Sequence, residues 1–404
     1  NGLAWLADEP DSTERDQVEL QLQLMIGNSA QSVEGFATPA NEPVWHRARE
    51  LAERLGDLDE TTSAMNGLFV MHFDRGECAQ GRELAREIVR LAEAGGSRAG
   101  LVRGHGSAAL ASLYLGEPRL CLEHARSSIR EYRPSDFHDI TYGIGTDQGV
   151  VAHGAWGAAA WFLGLDGEAL EHLEEAVTLG RHLDSMISTS IGLMFANVVH
   201  LWRRDYERVA ELADELIHLA TTLDSVQPLR FGRMARDAAC AHLGSTDGIE
   251  ASVAATEQLF AAPGGQGGAP LVMAVLADTY LTIGDATTAL GLADLGLAVS
   301  GASGERFVDP ELHCLRAAAL QHEGADPGDI DAAVEAARSS ADEADAFSMR
   351  LRVELRIAER RRAAGLDIDT TRLAGIVGDA PAEADSLDLA AARTLLDHHP
   401  GAHV

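Results

Sequence analysis

The stretch GIGTDQGVVAHGAWGAAAWFLGLDGEAL, residues 143–170, opens like a glycine-rich phosphate loop and closes like half of a helical hairpin. A phosphate cradle of that kind needs a strand before its glycines and a Gly-Lys-Ser/Thr after them. Neither is present, so Gly143, Gly145 and Gly149 read as a connector. The second half says more. AAWFLGLD runs into GEALEHLEEAVTL: an apolar helix end, a glycine, an acidic residue, then an amphipathic run.

The same pattern recurs outward from there. FVMHFDRGE precedes CAQGRELAREIVRLAE, LASLYLGE precedes PRLCLEHARSSI, and VHLWRRD precedes YERVAELADELIHLA. The turn residues of the series are Gly76, Gly116, Gly164, Arg204, Gly244, Gly284, Gly324 and Gly365, at spacings of 40, 48, 40, 40, 40, 40 and 41 residues. A fixed period of this length marks a solenoid, whose units bury their faces only by stacking on neighbours. Glycine reaches the left-handed conformation that ends a helix, and the acidic residue after it can cap the next. Five residues past the anchor stand Gly81, Cys121, Ala169, Val209, Ile249 and Ala289, mostly small, as a close helix crossing requires.

The sequence therefore predicts an all-α, right-handed α-solenoid of TPR-like helix hairpins, with a longer unit than the usual 34 or so residues. It forms one superhelical domain over 1–404, with N-terminal helices in 1–58, about seven helix pairs in 59–340 and a degenerate repeat and cap in 341–404. The single 48-residue spacing puts eight extra residues in an irregular connector, 131–149.

Composition narrows the function. The net charge is −31, and all 32 basic residues are arginine. A surface this acidic repels nucleic-acid phosphates and anionic lipid, so neither is an expected partner. Without lysine there is neither a P-loop nor Schiff-base chemistry. Cys78, Cys121, Cys240 and Cys314 form no CxxC and fit free thiols in a reducing cytoplasm. No apolar run is long enough to span a bilayer. Of the sixteen histidines none forms HExxH or a ligand-spaced cluster, so no metal or cofactor is expected. No nucleophile elbow supports a Ser/His/Asp arrangement, and carboxylate pairs such as Glu174/Glu175 read as solvated helix surface. The segment is expected not to be an enzyme.

Several stretches resemble the C-terminal TPR-like region of large bacterial signalling ATPases of the STAND/AAA type. They are GLAWLADEPDSTERDQVELQLQL (2–24), TPANEPVWHRARELAERLGD (38–57), GTDQGVVAHGAWGAAAWFLGLDGEAL (145–170), VVHLWRRDYERVAELADELI (198–217), GERFVDPELHCLRAAAL (304–320) and ADSLDLAAARTLLDHHP (384–400). The resemblance spans nearly the whole chain, and GERF…ELHCLR and the DQGVV connector are not generic repeat positions. It implies a regulatory role beside a separate ATPase module, in proteins that carry a class III adenylate/guanylate cyclase or a LuxR-type DNA-binding domain. It carries over no catalytic residue. The chain begins at Asn1, and we read it as an excised piece of such a protein.

Candidate contacts follow from TPR geometry, in which the first helix of each pair lines the concave face. Positions three and six before the anchor give an apolar stripe: Val70, Phe73, Leu110, Leu113, Trp161, Val198 and Leu201. It could receive an amphipathic helix or an apolar small molecule, or be buried by a tightly curled superhelix. The connector adds Tyr132, His138, Tyr142 and Asp147, either as a functional loop on a rigid scaffold or as a plug in which Asp147 caps a helix. The expected function is a non-catalytic sensor and protein-interaction module that regulates an attached signalling ATPase through its groove. Its partners are the parental ATPase module, a protein or an apolar ligand. The alternative is a scaffold that only oligomerises its parent, as a homo-oligomer without ligand.

Overall fold

A computed structural model describes residues 2–6, 9–34, 41–134, 146–245, 248–261, 267–363 and 365–398, all helix and turn. The leading helices are α1 (Gly2–Leu6), α2 (Thr13–Glu34) and α3 (Glu42–Leu55). Hairpins follow: α4 (Leu58–Asp74) with α5 (Cys78–Gly95), α6 (Arg98–Tyr114) with α7 (Pro118–Glu131), α8 (Gln148–Phe162) with α9 (Asp166–His182), and α10 (Met186–Arg203) with α11 (Tyr206–Thr222). Next come α12 (Val226–His242) with α13 (Ile249–Ala261), α14 (Ala269–Ile283) with α15 (Ala286–Ser303), and α16 (Asp309–His322) with α17 (Pro327–Glu343). The chain closes with α18 (Phe347–Ala363), α19 (Thr371–Gly378) and α20 (Leu387–His398).

The fold is a TPR-like α-solenoid, and its punctuation is the one the spacing predicts. All eight anchors have positive φ, from 60° at Arg204 to 93° at Gly284. A second series stands twenty residues ahead of six of them: Gly56, Gly96, Asp184, Asp224, Gly304 and Asp345, all with positive φ. The elementary period is thus one helix and one turn. Aspartate serves in three of these turns because its short polar side chain tolerates the left-handed region. Gly81, Cys121, Ala169, Val209, Ile249 and Ala289, each five past an anchor, are buried, and Gly157 shows why small residues recur on α8: a Cβ there would meet Leu173 Cγ at 2.6 Å.

The array winds back on itself, and successive superhelical turns are stitched together. The Gly267 N–H donates to the Asp74 carbonyl (2.8 Å) and the Arg306 N–H to the Tyr114 carbonyl (2.7 Å). Ser348 Oγ donates to the Trp161 carbonyl, and the Asp385 N–H to Asp166 Oδ2 at 2.9 Å. Arg119 pairs with Asp345 at 2.7 Å, 226 residues away in sequence. Phe347 lies directly on the turn at Gly164, where a Cβ would come within 2.5 Å of its ring. One hydrophobic core consequently runs from Ala109 on α6 to Ile357 on α18, with smaller clusters around Trp45 and around Leu351 and Leu395.

Candidate functional site

The first helices of successive hairpins turn one face each toward a common cavity of about 180 Å³. Its wall carries Val70 and Phe73 from α4, Leu110 and Leu113 from α6, Ala158 from α8 and Val198 from α10, with Met194, Phe195, Phe231 and Leu271 beside them. An aromatic row forms its floor: Phe73 meets Tyr114 edge-on at 4.5 Å, Tyr114 meets Phe307 at 4.7 Å, and Trp202 meets Phe307 at 6.2 Å. Polar groups are few. Ser107 donates to Asn66 Oδ1 at 2.8 Å, and Gln227 Nε2 donates to Asp74 Oδ1 at 3.1 Å. A mostly apolar cavity with a few placed polar groups is the usual make-up of a ligand site. An apolar cavity of about 150 Å³ accommodates benzene, so this one has room for an aromatic ring or one or two aliphatic side chains.

Five of the seven stripe residues line this cavity; Trp161 and Leu201 stand elsewhere. Trp161 is 2% exposed and stacks on Trp202 at 4.8 Å, with the Arg352 guanidinium 5.2 Å from its ring. It belongs to the seam between superhelical turns, and Trp202, one residue past Leu201, takes the place in the cavity. Leu201 packs instead against Val209, Ala213, Ala235 and Ala239.

Of the connector residues, His138 and Tyr142 lie outside the described residues. Tyr132 and Asp147 are brought together: the Tyr132 hydroxyl donates to both carboxylate oxygens of Asp147 at 2.9 Å. Asp147 Oδ1 also accepts from the N–H groups of Gly149 (2.8 Å) and Val150 (3.1 Å), which caps α8. Burial pushes its carboxyl up, against the pull of these donors. Gly149 has to be glycine because the Tyr132 ring occupies the Cβ position, at 2.6 Å. Asp147→Ala should destabilise the protein by about 2 kcal/mol, since it removes a cap and the carboxylate that accepts from the Tyr132 hydroxyl. In a Tyr132→Phe background the same change should cost about half as much, a coupling that a double-mutant cycle in urea reads directly.

Two groups that the sequence reading missed stand behind the cavity. Glu305 is fully buried; its Oε2 accepts the Gly268 N–H at 3.0 Å, and its Oε1 has no hydrogen-bond partner among the described residues. Burial, reinforced by Asp74 and opposed by that N–H, pushes its carboxyl up to about 8. Arg352, also buried, joins Asp388 (2.8 Å) to the Trp202 carbonyl. Its neighbour Arg356 reaches Glu311 at 2.6 Å and Asp278 at 3.5 Å at the edge of a separate polar cleft holding His242 and Arg360. The signal was FSMRLRVELRIAERRR, in which Arg352 and Arg356 share one helix face. Among the described residues no three His, Cys, Asp or Glu side chains are placed to hold a metal ion, and no helix is long and apolar enough to cross a membrane.

No family model matches this chain, and no curated protein matches it. Solved structures do. A Rap protein crystallised in complex with competence and sporulation factor is similar over 91% of this chain and 99% of its own, with a TM-score of 0.59 at 11% identity. Yeast Tom70 aligns over 94% of this chain and 96% of its own, with a TM-score of 0.32 at 10% identity. At such identity the Rap likeness is one of fold: the chain is a TPR-like helical-repeat protein.

Proposed function

We propose that this chain is a non-catalytic sensor and protein-interaction module whose inner cavity takes an apolar ligand or the apolar side chains of a peptide. Its occupancy regulates an attached signalling ATPase. The observation that carries the reading is the cavity itself, an apolar, aromatic-floored space built from α4, α6, α8, α10 and α12 in register. Two further points support it. The Rap protein of similar fold was crystallised with competence and sporulation factor, and the sequence resemblance is to regions flanking signalling ATPases. The mechanism is a change of winding. A ligand wedged between the first helices shifts their packing, and the seams between superhelical turns pass the shift to α18 and the C-terminal helices.

The neutral apolar dye N-phenyl-1-naphthylamine tests the first step. It should bind with one site per chain, and Phe73→Asp should weaken binding by at least about tenfold, a factor equal to 1.4 kcal/mol, while leaving the helical circular dichroism intact. Equal binding by both chains would place the dye elsewhere and sink the assignment. The regulatory step is read in the full-length protein, where the same substitution should abolish ligand-dependent change in ATP hydrolysis.

A further inference from the structure

His105 on α6 and His124 on α7 face each other with Nδ1 atoms 3.0 Å apart. One unit further on, His153 on α8 and His172 on α9 repeat the contact at 2.8 Å. Both pairs occupy the same repeat positions, eleven residues before and eight after the anchor glycine. The flanking hairpins fill those positions with apolar residues, Met65 with Leu84 and Leu193 with Leu212. Two consecutive units thus place a half-buried imidazole pair where the pattern asks for a hydrophobic contact.

The contact depends on protonation. Two neutral rings bond this way only when one carries its proton on Nδ1 and the other on Nε2. One added proton per pair is tolerated, because a single Nδ1–H still donates to a bare Nδ1. A second makes both nitrogens donors and sets two like charges about 3 Å apart, a repulsion of several kcal/mol where solvent is scarce.

We propose that the two histidine pairs are an acid-sensitive latch that holds the α6–α7 and α8–α9 hairpins shut and, on opening, discharges the cavity. The link to the cavity is one of register: Leu110 and Ala158, both in its wall, each lie five residues after the first histidine of a pair. The ligand half of the proposal rests on the function proposed above; the latch half does not.

The surroundings fit this assignment. Charged groups bearing on the first pair are Arg86 on α5, Arg130 and Glu123 on α7, and Glu117 at the head of α7. Those on the second are Glu168, Glu171 and Glu175 on α9 and Arg126 on α7, with the Trp156 ring stacked on His172 at 3.8 Å. Burial, with the partner ring, pushes His105 and His153 down to about 4; burial also lowers His124 and His172 against the pull of nearby glutamates. The unfolded chain binds these protons first. Stability from the pairs is therefore complete above the ordinary histidine value near 6.5 and is lost as pH falls toward 4.

The experiment compares the native chain with the variant His105→Leu/His124→Leu/His153→Leu/His172→Leu, which copies the apolar contact of the Leu193/Leu212 unit. Between pH 7 and 4.5 the native chain should lose dye affinity by about tenfold, the equivalent of one pKa unit, and the variant by less than about twofold. Equal losses overturn the proposal. Amide hydrogen exchange, corrected for intrinsic rates, reads the latch without the dye. In the native chain residues 98–131 and 148–182 should lose protection below pH 6 before α10–α16 do, and uniform loss overturns the latch. No dye binding at pH 7 with selective loss of protection would reject the cavity reading alone. If the variant fails to fold, the native exchange profile still decides.

Discussion

Replacing Arg352 with alanine should destabilise the protein by roughly 3 kcal/mol and release α18 and α20 from the rest of the array. Removing one member of a buried ion pair typically costs about 3–5 kcal/mol, because the partner charge is left uncompensated in a low dielectric. Here that partner is Asp388, which keeps Arg204 at 3.1 Å, so the lower end of the range applies. The Trp202 carbonyl also loses its donor, and the Trp161 ring loses the cation over its face. Urea unfolding followed by tryptophan fluorescence should show a separate early transition for the C-terminal helices. The double variant Arg352→Met/Asp388→Leu should recover part of the loss, since no buried carboxylate is then left uncompensated, while Arg204 turns to solvent and the Trp202 carbonyl still lacks its donor. A single unshifted transition for Arg352→Ala would mean that the seam between turns contributes little.

Glu305→Gln should give the largest pH-dependent effect. The native carboxyl stays protonated up to about 8, whereas in the unfolded chain it ionises near its usual 4.5. The folded state therefore binds more protons across this interval. Glu305's contribution is whole below pH 4.5 and is lost as pH rises toward 8. Glutamine cannot ionise, yet its Oε1 can still accept the Gly268 N–H. Relative to the native chain, the variant should gain stability progressively from pH 5 to pH 8, by on the order of 3 kcal/mol at the top of the range. The check is the difference between the two stability–pH curves. The histidine pairs drop out of that difference because both chains carry them. A flat difference would show that Glu305 ionises normally in the fold.

The repeat was legible because its chemistry is local. A left-handed turn every forty residues must be written as glycine or a tolerant substitute, and Gly76 through Gly365 declare it, with Arg204 as the one exception. The half-period was equally present in Gly56, Gly96 and Gly304. It was obscured where Asp184, Asp224 and Asp345 do the same work without the glycine signal. The stripe positions came from the same local rule, and Val70, Phe73, Leu110, Leu113 and Val198 do line one cavity. Trp161 did not follow the stripe because its surroundings are set one superhelical turn away, by Ser348 and Arg352. A period tells which unit stacks on which; it is silent on how tightly the stack winds. For the same reason α18, charged on every face, reads as a weak terminal unit, although its charges are matched by residues as distant as Trp202 and Asp388.

The stitching of one superhelical turn to the next also sets an order of events at birth. An open array can consolidate as it leaves the ribosome, each hairpin resting on the one before it. Here the Trp161 carbonyl receives its side-chain donor from Ser348, 187 residues later in the chain, and its ring the Arg352 guanidinium from the same helix. At about 5–20 residues per second, synthesis of that interval takes on the order of ten seconds or more. Through that time a nascent chain carries an apolar trough with no lid, and contacts of such sequence separation form slowly even after release. The N-terminal half is therefore the part that a holding chaperone has reason to grip, and the part a premature stop would leave exposed.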